Sequence, residues 1–280
     1  SFHFLKIIAS KDYQKYYGHK GRNVKNIIWN QIVTKIQGGK RKKFLDKNAC
    51  KNINFNEKYI YFALGVDPER STLIPTPFYT NQLEVIKNIG KSLPIDFKLY
   101  VKEHPMQTVW AWRDSQYYKQ ILELPNVKLI HPSVNNEKIL KNCSAVITIT
   151  GGTALEAAIY QKPSIVFGEV VFSKIPSVYK VKNIEELPIL IRKAINTQVN
   201  FEDLNKFVNI VISNSFEYDD HALLMKICQE MFYDGYIFDI DIKIEKMEKV
   251  LKNNKESINF VGMQHVKKIK KYLEKKIEKE

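Results

Sequence analysis

Cysteine is scarce in this 280-residue chain: Cys50, Cys143 and Cys228 are few, odd in number and far apart. That spacing excludes a disulfide framework and a cysteine-based zinc site, and it suits a reducing cytoplasm. Long apolar runs are also lacking. Nothing approaches the roughly 18 consecutive apolar residues that a membrane-spanning helix needs. The opening Ser1-Phe-His-Phe-Leu-Lys6 meets a charge too early for a signal peptide, and without an initial methionine it is expected to begin a fragment or a processed product. No His-x-x-x-His or Glu-x-x-His spacing stands out, so no metal is expected. Neither a GxxxxGK[ST] loop nor a GxSxG elbow is present, which disfavours ATP hydrolysis and serine-hydrolase chemistry. Internal repeats and low-complexity tracts are missing too.

Acidic residues are short at one end only. Residues 1–58 hold 14 Lys and Arg against 3 Asp and Glu, whereas the rest of the chain holds 30 against 27. A uniformly basic nucleic-acid binder would not be arranged this way, so no nucleic-acid partner is expected. The basic stretch reads as a solvated tail or as a surface for anionic lipid or a polyanionic glycan. Hydrophobic residues make up 44% of the chain, enough for a sizeable core.

Within 1–57 only Val24, Ile27, Ile28, Gln31, Ile32 and Ile36 follow helical spacing, predicting a helix over 24–36 that Gly38-Gly39-Lys-Arg-Lys-Lys43 breaks as a linker. From Lys58 short apolar runs alternate with helical segments. Strands are expected at 59–64, 97–102, 127–130, 145–150 and 164–167. Helices are expected at 81–92, 115–124, 135–141, 153–160 and 184–196. Runs that are apolar throughout and joined by helices predict an α/β fold, a doubly wound parallel sheet of Rossmann-like type. Helices follow at 201–214 and 221–232, and Val266, Ile269, Leu273 and Ile277 form one apolar face of a last helix. The expected organisation is a basic segment at 1–57, a nucleotide-binding domain at 58–200 and a helical extension at 201–280.

Ligands of such sheets bind beyond the carboxyl ends of the strands. Four segments fall there: Tyr61 to Thr72, Leu99 to Met106, Leu129 to Ser133, and Ile149 to Glu156. Gly151-Gly152 stand where a strand passes into a helix. They suit either a plain tight turn or a close approach of phosphate to the helix start, with Thr153 adding a hydroxyl. Thr153-Ala-Leu-Glu156 fits a capping box, and Glu156 fits equally a carboxylate that accepts the hydroxyls of a ribose. His104, held extended by Pro105, and Lys102 could stabilise a departing phosphate. His131 is expected to shape the pocket wall, and Ser133 to bind the nucleotide sugar. Asp67 reads as loop chemistry, and Glu69 as a possible substrate ligand.

Together, Phe62-Ala-Leu-Gly-Val-Asp-Pro-Glu-Arg-Ser-Thr72, Lys98-Leu-Tyr-Val-Lys-Glu-His-Pro105, Asn126-Val-Lys-Leu-Ile130, Ile147-Thr-Ile-Thr-Gly-Gly-Thr-Ala-Leu-Glu-Ala157 and Lys162-Pro-Ser-Ile-Val-Phe-Gly168 resemble the capsule polysaccharide biosynthesis family, which includes the β-Kdo transferases. The resemblance spans roughly residues 58–170. It implies the C-terminal, nucleotide-sugar half of a GT-B glycosyltransferase that is inverting and metal-independent. It further implies a CMP-linked donor, with Kdo as a candidate sugar, as substrate rather than a cofactor, and a glycan or glycolipid acceptor. His104, Pro105 and Glu156 would handle the CMP-sugar, with Gly151 to Thr153 at the phosphate. The family's His and Gln before Pro-Glu are replaced here by Gly65-Val66-Asp67, and residues 1–57 are too few for an acceptor domain, which normally supplies the base. Three alternatives stand beside this expectation: a CDP-glycerol-type polyol-phosphate transferase, a UDP-GlcNAc 2-epimerase-like enzyme, and a non-catalytic nucleotide-binding scaffold. The expected location is the cytoplasm, peripheral on the inner face of the membrane through the basic N-terminal region.

Overall fold

The computed structural model describes residues 5–6, 8–18, 21–67, 70–107, 113–232 and 242–277. It divides into two compact units, residues 31–211 and residues 1–30 with 212–280. The larger is built on six strands: β1 (Tyr59–Ala63), β2 (Lys98–Lys102), β3 (Val127–Ile130), β4 (Ala145–Thr148), β5 (Ser164–Val166) and β6 (Val178–Lys180). All adjacent pairs are parallel, in the order β3-β2-β1-β4-β5-β6. This is the doubly wound Rossmann-like sheet.

Alternation along β1 sorts the core. Ile60 and Phe62 face one layer, packed with Ile86 and Ile89 of the helix Gln82–Ser92, Tyr118 and Ile121 of Ser115–Leu122, and Ile191 of Leu187–Ile195. Tyr59 and Tyr61 face the other, with Ile139 and Leu140 of Asn136–Asn142 and Ala157 of Thr153–Ile159. All five β1 residues are buried, because each face is covered by helices. The aromatic rings of Tyr59 and Tyr100 stack on the second face with centroids 4.1 Å apart. Helix starts are fixed by side-chain caps: Asn81 accepts from the Glu84 amide, Asp114 from Gln116 and Asn135 from Lys138. Each cap satisfies an amide that the helix itself leaves open.

Two features depart from the periodicity. Gly38 and Gly39 do not break the first long helix, which runs from Val24 to Asn48. Glycine costs a helix only about 1 kcal/mol, and burial of Leu45 and Ala49 against the sheet's core holds the later turns in place. The short edge strand β6 has only Val178 fully buried, so three residues gave no alternating run to recognise.

In the smaller unit, the helix Asp220–Met231 is followed by Ile244–Asn253 and Lys255–Ile277. Lys246 Nζ donates to the Met231 carbonyl at 2.8 Å. The Tyr218 and Phe260 rings stack 5.9 Å apart, while Tyr13 and Tyr17 lie 4.7 Å apart. Among the described residues no helix is long and apolar enough to cross a membrane.

Just past β5, Gly168 leaves no room for a side chain. The amides of Phe167 and Gly168 both donate to the Ile149 carbonyl at 3.0 Å. A Cβ on Gly168 would collide with the methyl groups of Thr150 and Thr76, lying 2.7 Å from the latter. Gly168→Ala is therefore expected to destabilise the protein by about 1–3 kcal/mol, as overpacking does. A denaturation midpoint equal to that of the wild type would refute this packing.

Candidate functional site

The strand order reverses between β1 and β4. Their following loops leave in opposite directions and open a crevice at the sheet's carboxyl edge. A cleft of about 290 Å³ lies there, lined by Ala63 to Val66, Thr72, His104 and the run from Thr148 to Thr153 with Glu156. Three of the four expected strand-end segments thus meet in one place.

The wall after β1 is held by side-chain amides that behave like backbone. Gln82, 1% exposed, accepts from the Gly65 amide at 2.8 Å and donates to the Gly65 carbonyl at 3.2 Å. Gln107, equally buried, accepts from the Asp67 amide at 2.8 Å and donates to its carbonyl at 3.0 Å. Arg113 Nη2 adds a bond to the Gly65 carbonyl at 2.6 Å.

His104 stands two residues past the end of β2. Its Nδ1 accepts from the Met106 amide at 3.1 Å. In the neutral ring the proton therefore sits on Nε2, which has no partner among the described residues. The second His-Pro pair makes the same turn, with the Ser133 amide donating to His131 Nδ1 at 3.1 Å.

On the β4 side the Thr148 hydroxyl accepts from the Gly151 amide at 3.2 Å, and a Cβ on Gly151 would lie 2.7 Å from that hydroxyl. Gly151 is thus required for a tight turn. Gly152 has open space where its side chain would be. It caps the helix Thr153–Ile159 without a side-chain bond. The Ala154, Leu155 and Glu156 amides are taken up by the Gly151 and Gly152 carbonyls. Those of Gly152 and Thr153 have no partner among the described residues, so two donors and the positive end of the helix face the crevice.

Glu156 does not fold back as a capping box would have it. Its Oε2 accepts from Asn136 Nδ2 at 3.4 Å, and Asn136 Oδ1 accepts from the Tyr61 hydroxyl at 2.7 Å. Burial, then the Glu156 charge, pushes the Tyr61 phenol well above its ordinary pKa, so it remains a donor. Lys102 ends β2 at 5% exposure and lies off the lining of the cleft. Burial lowers its ammonium pKa, and the charge of Glu156 opposes that shift.

The remaining expected residues lie elsewhere. Pro105 is exposed in the turn after His104 and does not line the cleft. The Ser133 hydroxyl is 2.6 Å from His131 Nδ1, and His131 Nε2 lies 3.2 Å from Asp46. Burial and then Lys51 depress the His131 pKa, against the pull of Asp46. That pair closes on itself rather than on the cleft. Glu69 lies outside the described residues. Among the described residues no three His, Cys, Asp or Glu side chains gather as metal ligands would.

Sequence reasoning missed Gln82, Gln107, Glu103, Arg113, Tyr61 and Asn136. Asn136 was legible in part, since it falls next to the strand-end segment at Ser133. Tyr61 and Glu103 fall inside two of the expected strand-end segments without standing out in them, while Gln82, Gln107 and Arg113 lie outside those segments, where nothing in the local pattern separates a polar clamp from a surface residue.

No curated protein matches the chain in sequence. In fold it is similar to the β-Kdo 2,7 transferase KpsC of Thermosulfurimonas dismutans, at 16% identity and a TM-score of 0.40, covering 62% of this chain and 53% of that one. It is likewise similar to the UDP-GlcNAc 2-epimerase of Methanocaldococcus jannaschii, at 18% identity and a TM-score of 0.40, covering 63% and 52%. The chain therefore spans about half the length of either structure. Residues 3–178, well over half of the chain, match the family described as capsule polysaccharide biosynthesis protein, and the chain belongs to that family.

Proposed function

We propose that this chain is the nucleotide-sugar-binding half of a glycosyltransferase of capsule polysaccharide synthesis, taking a CMP-linked sugar as donor. The observation that carries this reading is the meeting of His104, the Gly151–Thr153 turn and Glu156 in one cleft at the point of strand reversal. The donor phosphate fits the free amides of Gly152 and Thr153, with His104 Nε2–H as a third donor. Glu156 is a half-committed carboxylate: Asn136 occupies one oxygen, and the other remains for ribose hydroxyls.

Charge develops on the phosphate as the sugar leaves. Donors already fixed in place stabilise that charge without reorganising. A donor aimed by helix dipole and imidazole needs no metal, and the reaction proceeds with inversion by direct attack of an acceptor hydroxyl. The acceptor is a glycan or glycolipid, and its base belongs to a second domain that these residues do not form. Lys102 stands behind the cleft wall as a counter-charge to Glu156. The basic N-terminal residues rest on an anionic cytoplasmic membrane face, an attraction that salt weakens.

Calorimetric titration with CMP, CDP, UMP and UDP tests the reading. CMP is expected to bind best, and Glu156→Ala and His104→Ala are each expected to weaken it at least about tenfold, or about 1.4 kcal/mol. Preference for UDP, or undiminished CMP binding by Glu156→Ala, would overturn it.

Lys102 gives a pH-dependent outcome. Its folded pKa lies below that of a free lysine, so the unfolded chain binds more protons between the two values and stability rises with pH there. Lys102→Met is expected to raise the melting temperature at neutral pH. The gain should shrink as pH climbs through the lowered pKa toward that of free lysine. An equal difference at every pH would show that Lys102 carries no such penalty.

A further inference from the structure

Glu103 is a buried carboxylate beside the cleft that the proposed chemistry does not use. Its side chain has no exposure at all, and that of Arg113 has 5%. Three donors converge on it: the His104 amide at 2.7 Å, Arg113 Nη1, and the Tyr118 hydroxyl at 2.7 Å. Through its other terminal nitrogen Arg113 reaches the Gly65 carbonyl at 2.6 Å. Gly65 and His104 both line the cleft. One ion pair therefore joins the end of β1 to the end of β2.

Stability alone is a weak reason for such a pair. Taking both charges out of water costs several kcal/mol per ion, and apolar replacements of similar volume are often neutral or stabilising. A carboxylate, however, can accept from an amide, a guanidinium and a phenol at once. An apolar filler would pack the space and leave the His104 amide unanchored.

We propose that Glu103 is a positioning residue for His104, which with Arg113 and Tyr118 sets where the imidazole stands against the Gly65 wall. Burial favours the neutral phenol of Tyr118, as does the Glu103 charge, so its proton stays available to the carboxylate. Arg113 keeps its charge because Glu103 offsets the cost of its burial. The effect on ligand rests on the proposed role of His104 as a phosphate donor, whereas the effect on the imidazole itself does not.

The test compares two double variants. Glu103→Leu/Arg113→Met removes both charges and every acceptor, while Glu103→Gln/Arg113→Met removes the charges and keeps an oxygen for the His104 amide. Imidazole nitrogen chemical shifts report whether Nδ1 still accepts from the Met106 amide, and calorimetry reports affinity for CMP and for cytidine. The apolar variant is expected to shift the His104 signals and to lose CMP affinity at least tenfold with cytidine unaffected, and the glutamine variant to restore both. Unmoved His104 signals in a folded apolar variant would overturn the proposal.

Should the apolar variant not fold, Tyr118→Phe decides, since it removes one bond and leaves the ion pair. A shift of the His104 signals supports positioning, and unchanged signals refute it. Wild-type protein that binds no CMP would sink the nucleotide reading while the nitrogen shifts still test Glu103.

Discussion

The site depends on a single topological constraint, the reversal of strand order at β1. The chain runs from β1 outward through β2 to β3, then back to the other side of β1 for β4. The loops that follow β1 and β4 leave in opposite directions, and the cleft lies between them. The donors of the Gly151–Thr153 turn and the His104 turn lie along this edge. Slipping β1 against β2 by one residue would exchange its Tyr and Ile/Phe faces and carry the Gly65 loop away from its clamps.

The fold was legible because the physics that made it is local. Strands such as Tyr59–Ala63 are apolar throughout since helices cover both faces, and asparagine and aspartate mark the starts of the helices that do so. The candidate site was legible where a strand-end position coincided with an unusual residue, as at His104, the glycine pair and Glu156. It was not legible at Lys102, whose place at the end of β2 is correct but whose burial faces the second layer. Strand parity decides that, and the flanking Glu103 points into the first layer for the same reason.

What the sequence concealed is the polar scaffold under the cleft. Gln82 and Gln107 sit 17 and 40 residues from the backbone groups they clamp. Arg113 and Tyr118 lie just before and within a helix that reads as ordinarily amphipathic. Such contacts follow from tertiary placement, and local propensity carries no trace of them. The long helix through Gly38 and Gly39 teaches the same lesson in reverse. A small local penalty was overruled by burial of Leu45 and Ala49 further along.

The paired His-Pro turns have a consequence for proton traffic. Because the Met106 amide occupies Nδ1 of His104, the ring meets the cleft through one nitrogen that bears hydrogen whether the imidazole is neutral or cationic. An imidazole so tethered presents hydrogen to an anion, yet it offers no lone pair with which to strip a proton from an incoming alcohol.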